Sequence, residues 1–107
     1  MQVNTQSAFR SLADPTRRSI IKLLEEDSRS ISDVVEHFDI SRNAIVKHLR
    51  VLEESAVVRT HYVGRERVNV LVPGALKPAY DWLTPYETLW DQKLDALQRA
   101  VEETYRG

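Results

Sequence analysis

Ile40-Ser41-Arg42-Asn43-Ala44-Ile45-Val46-Lys47-His48-Leu49-Arg50-Val51-Leu52 is the stretch whose reading decides the fold. Ile45, Leu49 and Leu52 recur at i, i+4 and i+7, the spacing of one buried helical face. Arg42, Asn43, Val46, Lys47 and Arg50 fall on the flank and far side of the same helix. Ser41 stands where an N-cap belongs, its hydroxyl placed to accept from an orphan backbone N–H. A capped helix with a narrow apolar seam and a basic, amide-bearing outer face is what reading a DNA major groove requires. A shorter helical pattern ends just upstream at Phe38-Asp39-Ile40, so the pair reads as a helix-turn-helix.

Upstream, Thr5 or Asn4 is expected to cap a first helix carrying Phe9, Leu12 and Ala13. Asp14-Pro15 restarts the chain: Asp14 caps, and Pro15 takes the first helical position, where its missing N–H costs nothing. That helix runs to about Glu26 and buries Ile20, Ile21, Leu23 and Leu24. Asp27 to Ser30 reads as a loop. Ile31 anchors the chain, and Ser32 is expected to cap a short helix holding Val34, Val35 and Phe38. The next helix spans Ser41 to about Ser55.

Downstream the period changes. Val57 to Val63 and Val68 to Val72 are rich in β-branched and aromatic residues, with Gly64-Arg65-Glu66-Arg67 as a basic turn between them. This reads as a β-hairpin, ended by Pro73-Gly74. Thr84-Pro85-Tyr86-Glu87 carries a capping-box signature. It implies either a fresh helix from Pro85 to about Tyr105 or a kink within one longer helix. Tyr86, Trp90, Leu94, Leu97 and Val101 form the apolar stripe of that helix, and Leu89 widens it. A helix of about 20 residues is roughly 30 Å long. One small core does not cover such a stripe, so a partner chain is expected on it.

The chain has 107 residues, enough for a single small domain over 1–107. Its hydrophobic fraction of 42% suits a globular fold. A net charge of −1 argues against nucleic acid until its distribution is considered. Arg42, Lys47, Arg50, Arg59, Arg65 and Arg67 gather in the middle, whereas Asp81, Glu87, Asp91, Asp95, Glu102 and Glu103 load the C-terminal end. One face alone is then expected to meet phosphate. With no cysteine, disulfides and thiolate metal sites are excluded. No apolar run approaches a membrane span, and the first residues lack a secretory pattern. The cytoplasm is the expected compartment, and no cofactor is expected.

Helix, helix, helix-turn-helix, β-hairpin, helix is the order of a mainly α winged helix-turn-helix domain with a small β-hairpin wing. It dimerises through its N- and C-terminal helices. At the level of residues the chain resembles the ArsR/SmtB family of bacterial repressors. The resemblance is carried by Leu12-Ala13-Asp14-Pro15-Thr16-Arg17-Arg18, by Ile40 to Leu49, by Leu52-Glu53-Glu54-Ser55-Ala56-Val57-Val58 and by the Gly64-Arg65 hairpin. It extends over roughly residues 8 to 72. It implies a DNA-binding core at about 14–72 and dimerisation helices at 1–13 and 75–105. It also implies a homodimeric repressor on a short inverted repeat of double-stranded DNA, autoregulation included. Two-fold geometry spaces the half-sites about 10 bp apart or a little more. The chain departs from the metal-sensing members. Asp33, Val34 and Val35 stand where they carry a cysteine pair, and no histidine accompanies Asp91 and Asp95. It is similar to cysteine-free members, and its effector is left open.

The candidate DNA contacts are Ser41, Arg42, Asn43, Val46, Lys47, Arg50, Arg65 and Arg67. Arginine matches the guanine edge and asparagine the adenine edge. Lys47 and Arg50 suit phosphate, Val46 suits a thymine methyl, and Arg65 and Arg67 at the hairpin tip suit a narrow minor groove. The bland alternative is a solvated charged face. Arg17 and Arg18 either touch phosphate or fix their helix by pairing with nearby acids, and the structural role is favoured. His37, His48 and His61 share no ligand spacing, so no metal site is expected. Phe9, Leu12, Tyr86, Leu89, Trp90, Leu94, Leu97 and Val101 are the candidate dimer interface. Trp82, Tyr86 and Trp90 also admit a small-molecule pocket, although interface core is the commoner use of such aromatics. The competing reading of the whole chain is a winged-helix protein-interaction module without specific DNA binding. No nucleophile-base constellation supports an enzyme.

Overall fold

The computed structural model describes residues 4–106. Seven elements follow in order: α1 (Thr5–Leu12), α2 (Pro15–Glu26), α3 (Ile31–Glu36), α4 (Arg42–Glu54), β1 (Val58–Val63), β2 (Glu66–Leu71) and α5 (Lys77–Arg106). This is the mainly helical, hairpin-bearing winged helix-turn-helix that the sequence implies. The segment 1–3 of the expected N-terminal dimerisation region lies outside the described residues.

Each early helix starts on a side-chain acceptor. Asn4 caps α1 in a reciprocal box, accepting from the Ser7 N–H at 2.8 Å while its own N–H donates to Ser7 Oγ at 3.0 Å. Asp14 Oδ2 accepts from the N–H groups of Thr16 and Arg17 at 2.8 and 3.1 Å, with Pro15 at the first helical position. Ser41 Oγ accepts from the Ala44 N–H at 3.1 Å. The cap of α3 differs from expectation. Ser30, not Ser32, accepts from the Asp33 N–H, and Ile31 is already helical. Ser32 is thereby left exposed in the first turn.

The apolar seams meet as their periodicity requires. Ile20, Ile21 and Leu24 of α2, Val34 of α3, Ile45, Leu49 and Leu52 of α4, then Val57, Val58 and Ala75 form one buried cluster. Leu23 and Leu12 pack at its margin. The hairpin is antiparallel, registered from Val58↔Leu71 to Val63↔Glu66. Its turn is therefore shorter than the four residues expected. Gly64 and Arg65 alone form it, and Glu66 and Arg67 belong to β2. Gly64 at φ +64° supplies the positive φ that so tight a hairpin needs. The segment read as a loop also contributes to the sheet: Arg29 bridges antiparallel to Asn69 of β2.

Two further features concern helix ends. Helix α4 closes in a Schellman arrangement, with the N–H of Val57 donating to Leu52 O and that of Ala56 to Glu53 O, both at 3.0 Å. Ala56 occupies the left-handed position at φ +58°, where glycine is usual. At the C-terminal end, the second of the two alternatives holds: Pro85 starts no fresh helix and lies inside one longer helix. Helix α5 runs through it for 30 residues, about 45 Å at 1.5 Å per residue. Thr84 does not cap; its hydroxyl donates back to Tyr80 O at 2.7 Å. Pro85 removes the N–H that the Asp81 carbonyl would have bonded. Because the helix is exposed from Tyr80 to Tyr105, that carbonyl is left on a solvent-facing stretch.

Candidate nucleic-acid interface

At 100° per residue, Arg42, Val46, Arg50, Asn43 and Lys47 occupy an arc of about 140° on α4, running from the flank of the Ile45, Leu49 and Leu52 seam to its far side. Arg42, Asn43, Lys47 and Arg50 are exposed, as is the capping Ser41, and Val46 is half-buried. The structure therefore brings these six candidates onto one surface. The guanidinium of Arg42 also donates to Ser32 Oγ at 3.2 Å, which ties the start of α4 to α3.

The hairpin candidates separate. Arg65 lies in the turn itself, exposed at the far end. Arg67 lies one pair down β2, opposite Tyr62. Its guanidinium turns toward α4, donating to Thr60 Oγ1 at 3.1 Å and lying 3.7 Å from Glu53 Oε1. A cleft of about 290 Å³ between α4 and the hairpin is lined by Val46, Arg50, Glu53, Thr60, Arg67 and Asn69, among others. Glu53, Thr60 and Asn69 escape a reading of the sequence because strand register, not local pattern, brings them here.

Arg17 and Arg18 are structural, as favoured, but by another route than acids. They bind carbonyls at the end of α1: Arg17 those of Ser11 and Arg10 at 3.2 and 2.8 Å, Arg18 that of Leu12 at 2.6 Å. Arg17 Nη1 also lies 3.5 Å from His48 Nδ1, and Asp14 Oδ2 is 3.8 Å from the same nitrogen. This cluster joins the α1–α2 corner to α4. The Arg17 N–H donating to Asp14 is the chief reason that its carboxyl lies below the usual range. Partial burial opposes the effect, and nearby His48 and the Thr16 N–H reinforce it. His37 Nδ1 pairs with Asp33 O on its own helix. Among the described residues, no group of three or more His, Cys, Asp or Glu side chains is placed to hold a metal ion. Nor is any helix among them long and apolar enough to cross a membrane.

The remaining candidates line α1 and α5. Phe9 meets Trp82 edge-on at 5.7 Å, and Trp82 stacks on Tyr86 at 5.2 Å. Leu12 is half-buried at the edge of the main core. Tyr86, Leu89, Trp90, Leu94, Leu97 and Val101 are all exposed, Trp90 at 64% and Leu97 at 61%.

This geometry has relatives. Residues 12–61 match the helix-turn-helix domain family. The chain is 31% identical over 88 residues to the transcriptional repressor SdpR of Bacillus subtilis (strain 168), covering 82% of this chain and 98% of that one. It is 33% identical over 95 residues to the HTH-type transcriptional regulator Rv2034 of Mycobacterium tuberculosis (strain ATCC 25618 / H37Rv), covering 89% and 86%. An ArsR-like transcriptional regulator from Rhodococcus sp. RHA1 superposes with a TM-score of 0.69 at 30% identity, covering 89% of this chain and 90% of that one. The chain belongs to the ArsR family of transcriptional regulators. In an ArsR-family winged helix-turn-helix, the β1–β2 hairpin is the wing. The family consists of DNA-binding regulators, not enzymes.

Proposed function

We propose that this ArsR-family chain is a homodimeric transcriptional repressor that binds a short inverted repeat, its own promoter among the targets. The observation that carries the reading is the exposed basic arc on α4 beside a wing that projects Arg65. Asn43 and Arg42 read base edges. Ser41, Lys47 and Arg50 meet phosphate, for which a capped helix N-terminus is suited. Val46 faces a thymine methyl, and Arg65 enters the adjacent minor groove. The DNA-binding core is about 14–72. The flanking helices, at 1–13 and 75–105, supply the dimer contact, because the apolar stripe of α5 is uncovered in one chain. SdpR carries the name of a repressor, which supports the sign of regulation assigned here. The protein works in the cytoplasm, where its DNA lies.

The test is a fluorescence-anisotropy titration on the DNA upstream of its own gene against a scrambled duplex, at two salt concentrations. Tighter binding to the native duplex that weakens as salt rises is expected. Equal, weak binding to both removes autoregulation. No binding to either transfers the fold to protein–protein interaction.

A further inference from the structure

We infer that Glu53 is an internal stand-in for a DNA phosphate, holding Arg67 of the wing until DNA displaces it and so suppressing sequence-independent binding. The inference rests on the DNA-binding reading above. A helix in the major groove and a hairpin in the neighbouring minor groove straddle one sugar-phosphate strand, so side chains between them face phosphate. Here that space is the cleft between α4 and the wing. The register Thr60↔Asn69 and Tyr62↔Arg67 puts Thr60, Asn69 and Arg67 on the wing face that lines it. Arg50 lines it from α4. Two guanidinium groups and a hydroxyl thus converge where phosphate is expected, and the cleft lining includes one carboxylate, that of Glu53.

The contacts fit a replaceable partner. Arg67 Nη2 lies 3.7 Å from Glu53 Oε1, longer than a tight charge-assisted bond, and the two side chains are 56% and 48% exposed. Such an ion pair is weak and exchanges readily for another anion. The Thr60 hydroxyl at 3.1 Å keeps the guanidinium oriented into the cleft whichever anion it meets. A DNA phosphate takes the same donor, so binding must first break the Glu53–Arg67 pair, and that exchange lowers the net gain. Phosphate contacts carry no sequence information. A carboxylate that competes for their donor lowers affinity for every duplex alike. The net charge of −1 on a DNA-binding chain accords with such restraint. Glu53 is therefore a residue that sets overall DNA affinity without touching a base.

Because the effect is independent of sequence, a mixed-sequence duplex is the probe. Anisotropy titrations over about 50–200 mM salt compare the intact protein with Glu53→Gln, Arg67→Ala and the double variant. Glu53→Gln is expected to tighten binding about three- to fivefold and to steepen the salt dependence. Arg67→Ala weakens binding and lowers the salt slope by about one. Glu53→Gln added to Arg67→Ala changes little. Glu54→Gln, the same charge change one residue along in a side chain that pairs with Arg10 at 3.5 Å, is the control for bulk charge and tightens less. Matching thermal melts verify that all variants fold. If Glu53→Gln leaves affinity unchanged, or tightens it equally without Arg67 or no more than Glu54→Gln, the inference is overturned and DNA binding stands. If the folded protein and Glu53→Gln bind no duplex at the lowest salt, the DNA-binding reading itself fails.

Discussion

The main chains of Arg29 and Asn69 exchange both their hydrogen bonds, Asn69 N to Arg29 O at 2.8 Å and Arg29 N to Asn69 O at 3.1 Å. The Asn69 side chain adds a third, Nδ2 to Arg29 O at 3.1 Å, from a residue that is 4% exposed. One residue between α2 and α3 thus fastens the base of the wing to the helical body. Asn69→Ala removes the third bond from a buried site and should cost about 1–2 kcal/mol in urea unfolding at fixed protein concentration. Hydrogen exchange should quicken selectively along β1 and β2. Uniform acceleration over the whole chain would mean that the wing has no separate anchorage.

Ala56 holds the left-handed closing position of α4 at φ +58° with a Cβ that disfavours it. Such a conformation costs a non-glycine residue roughly 1–2 kcal/mol. Ala56→Gly relieves that strain and returns about 0.4–1 kcal/mol through the freer unfolded chain. A net gain of about 0.5–1 kcal/mol is expected, read as a higher urea midpoint with an unchanged slope. A loss of stability would show the strain to be absorbed elsewhere.

Asp14 carries a folded-state pKa below its ordinary value, held there first by the Arg17 N–H. The sign follows from linkage. Its contribution to stability is complete above the ordinary carboxylate value of about 3.9 and is lost as pH falls through the lower folded value. Asn is an equally good N-cap but has no proton to take up. Asp14→Asn should therefore melt near the parent temperature at neutral pH and lose less as pH falls below about 4. Parallel acid limbs for the two proteins would remove Asp14 from the acid sensitivity.

Asn43 and Arg65 are expected to fail differently when cut back. Asn43→Ala should cost about 1–3 kcal/mol on a preferred site and flatten the preference at one base-pair position, with little effect on mixed-sequence DNA. Arg65→Ala should weaken both duplexes alike and lower the salt slope by about one. Titrations on the two duplexes across salt separate the outcomes. Asn43→Ala that weakens both equally would reassign it to the backbone.

The helical part of this architecture was legible because its signals are local. The seam of Ile45, Leu49 and Leu52 repeats on α4, and Asp14-Pro15 marks a start within two residues. The choice of Ser30 over Ser32 was also within reach, since Ser30-Ile31-Ser32-Asp33 places an acid three residues after the true cap. Arg67 was not. Whether it sits in the turn or on a strand depends on a two-residue hairpin closed by Gly64, and its partner Glu53 lies on another element. Asn69 reads as a polar interruption of an apolar strand until Arg29 is placed beside it. Pro85 leaves two alternatives open in the sequence, because a proline starts a fresh helix or interrupts a longer one according to whether the carbonyl it strands stays open to solvent.

Leu94 tests how α5 is covered. With Trp90, Leu97 and Val101 it lies on an apolar stripe, itself 57% exposed, and the described chain folds nothing over this part of the helix. A stable interface removes about 800 Å² from each partner, and a stripe along 30 residues is long enough to supply a large share of it. Leu94→Glu places an unpaired carboxylate in the middle of that contact and should weaken self-association by about 3–5 kcal/mol. Gln92→Glu adds the same charge about 160° around the helix and should leave association unchanged. Sedimentation velocity across a concentration series distinguishes the two. On the proposed reading, in which each α4 fills one half-site, a monomeric Leu94→Glu protein should lose affinity for an inverted repeat far more than for a single half-site. If both variants remain dimeric, α5 is not the contact, and the pairing surface must be sought on α1, where Phe9 already engages Trp82 within the same chain.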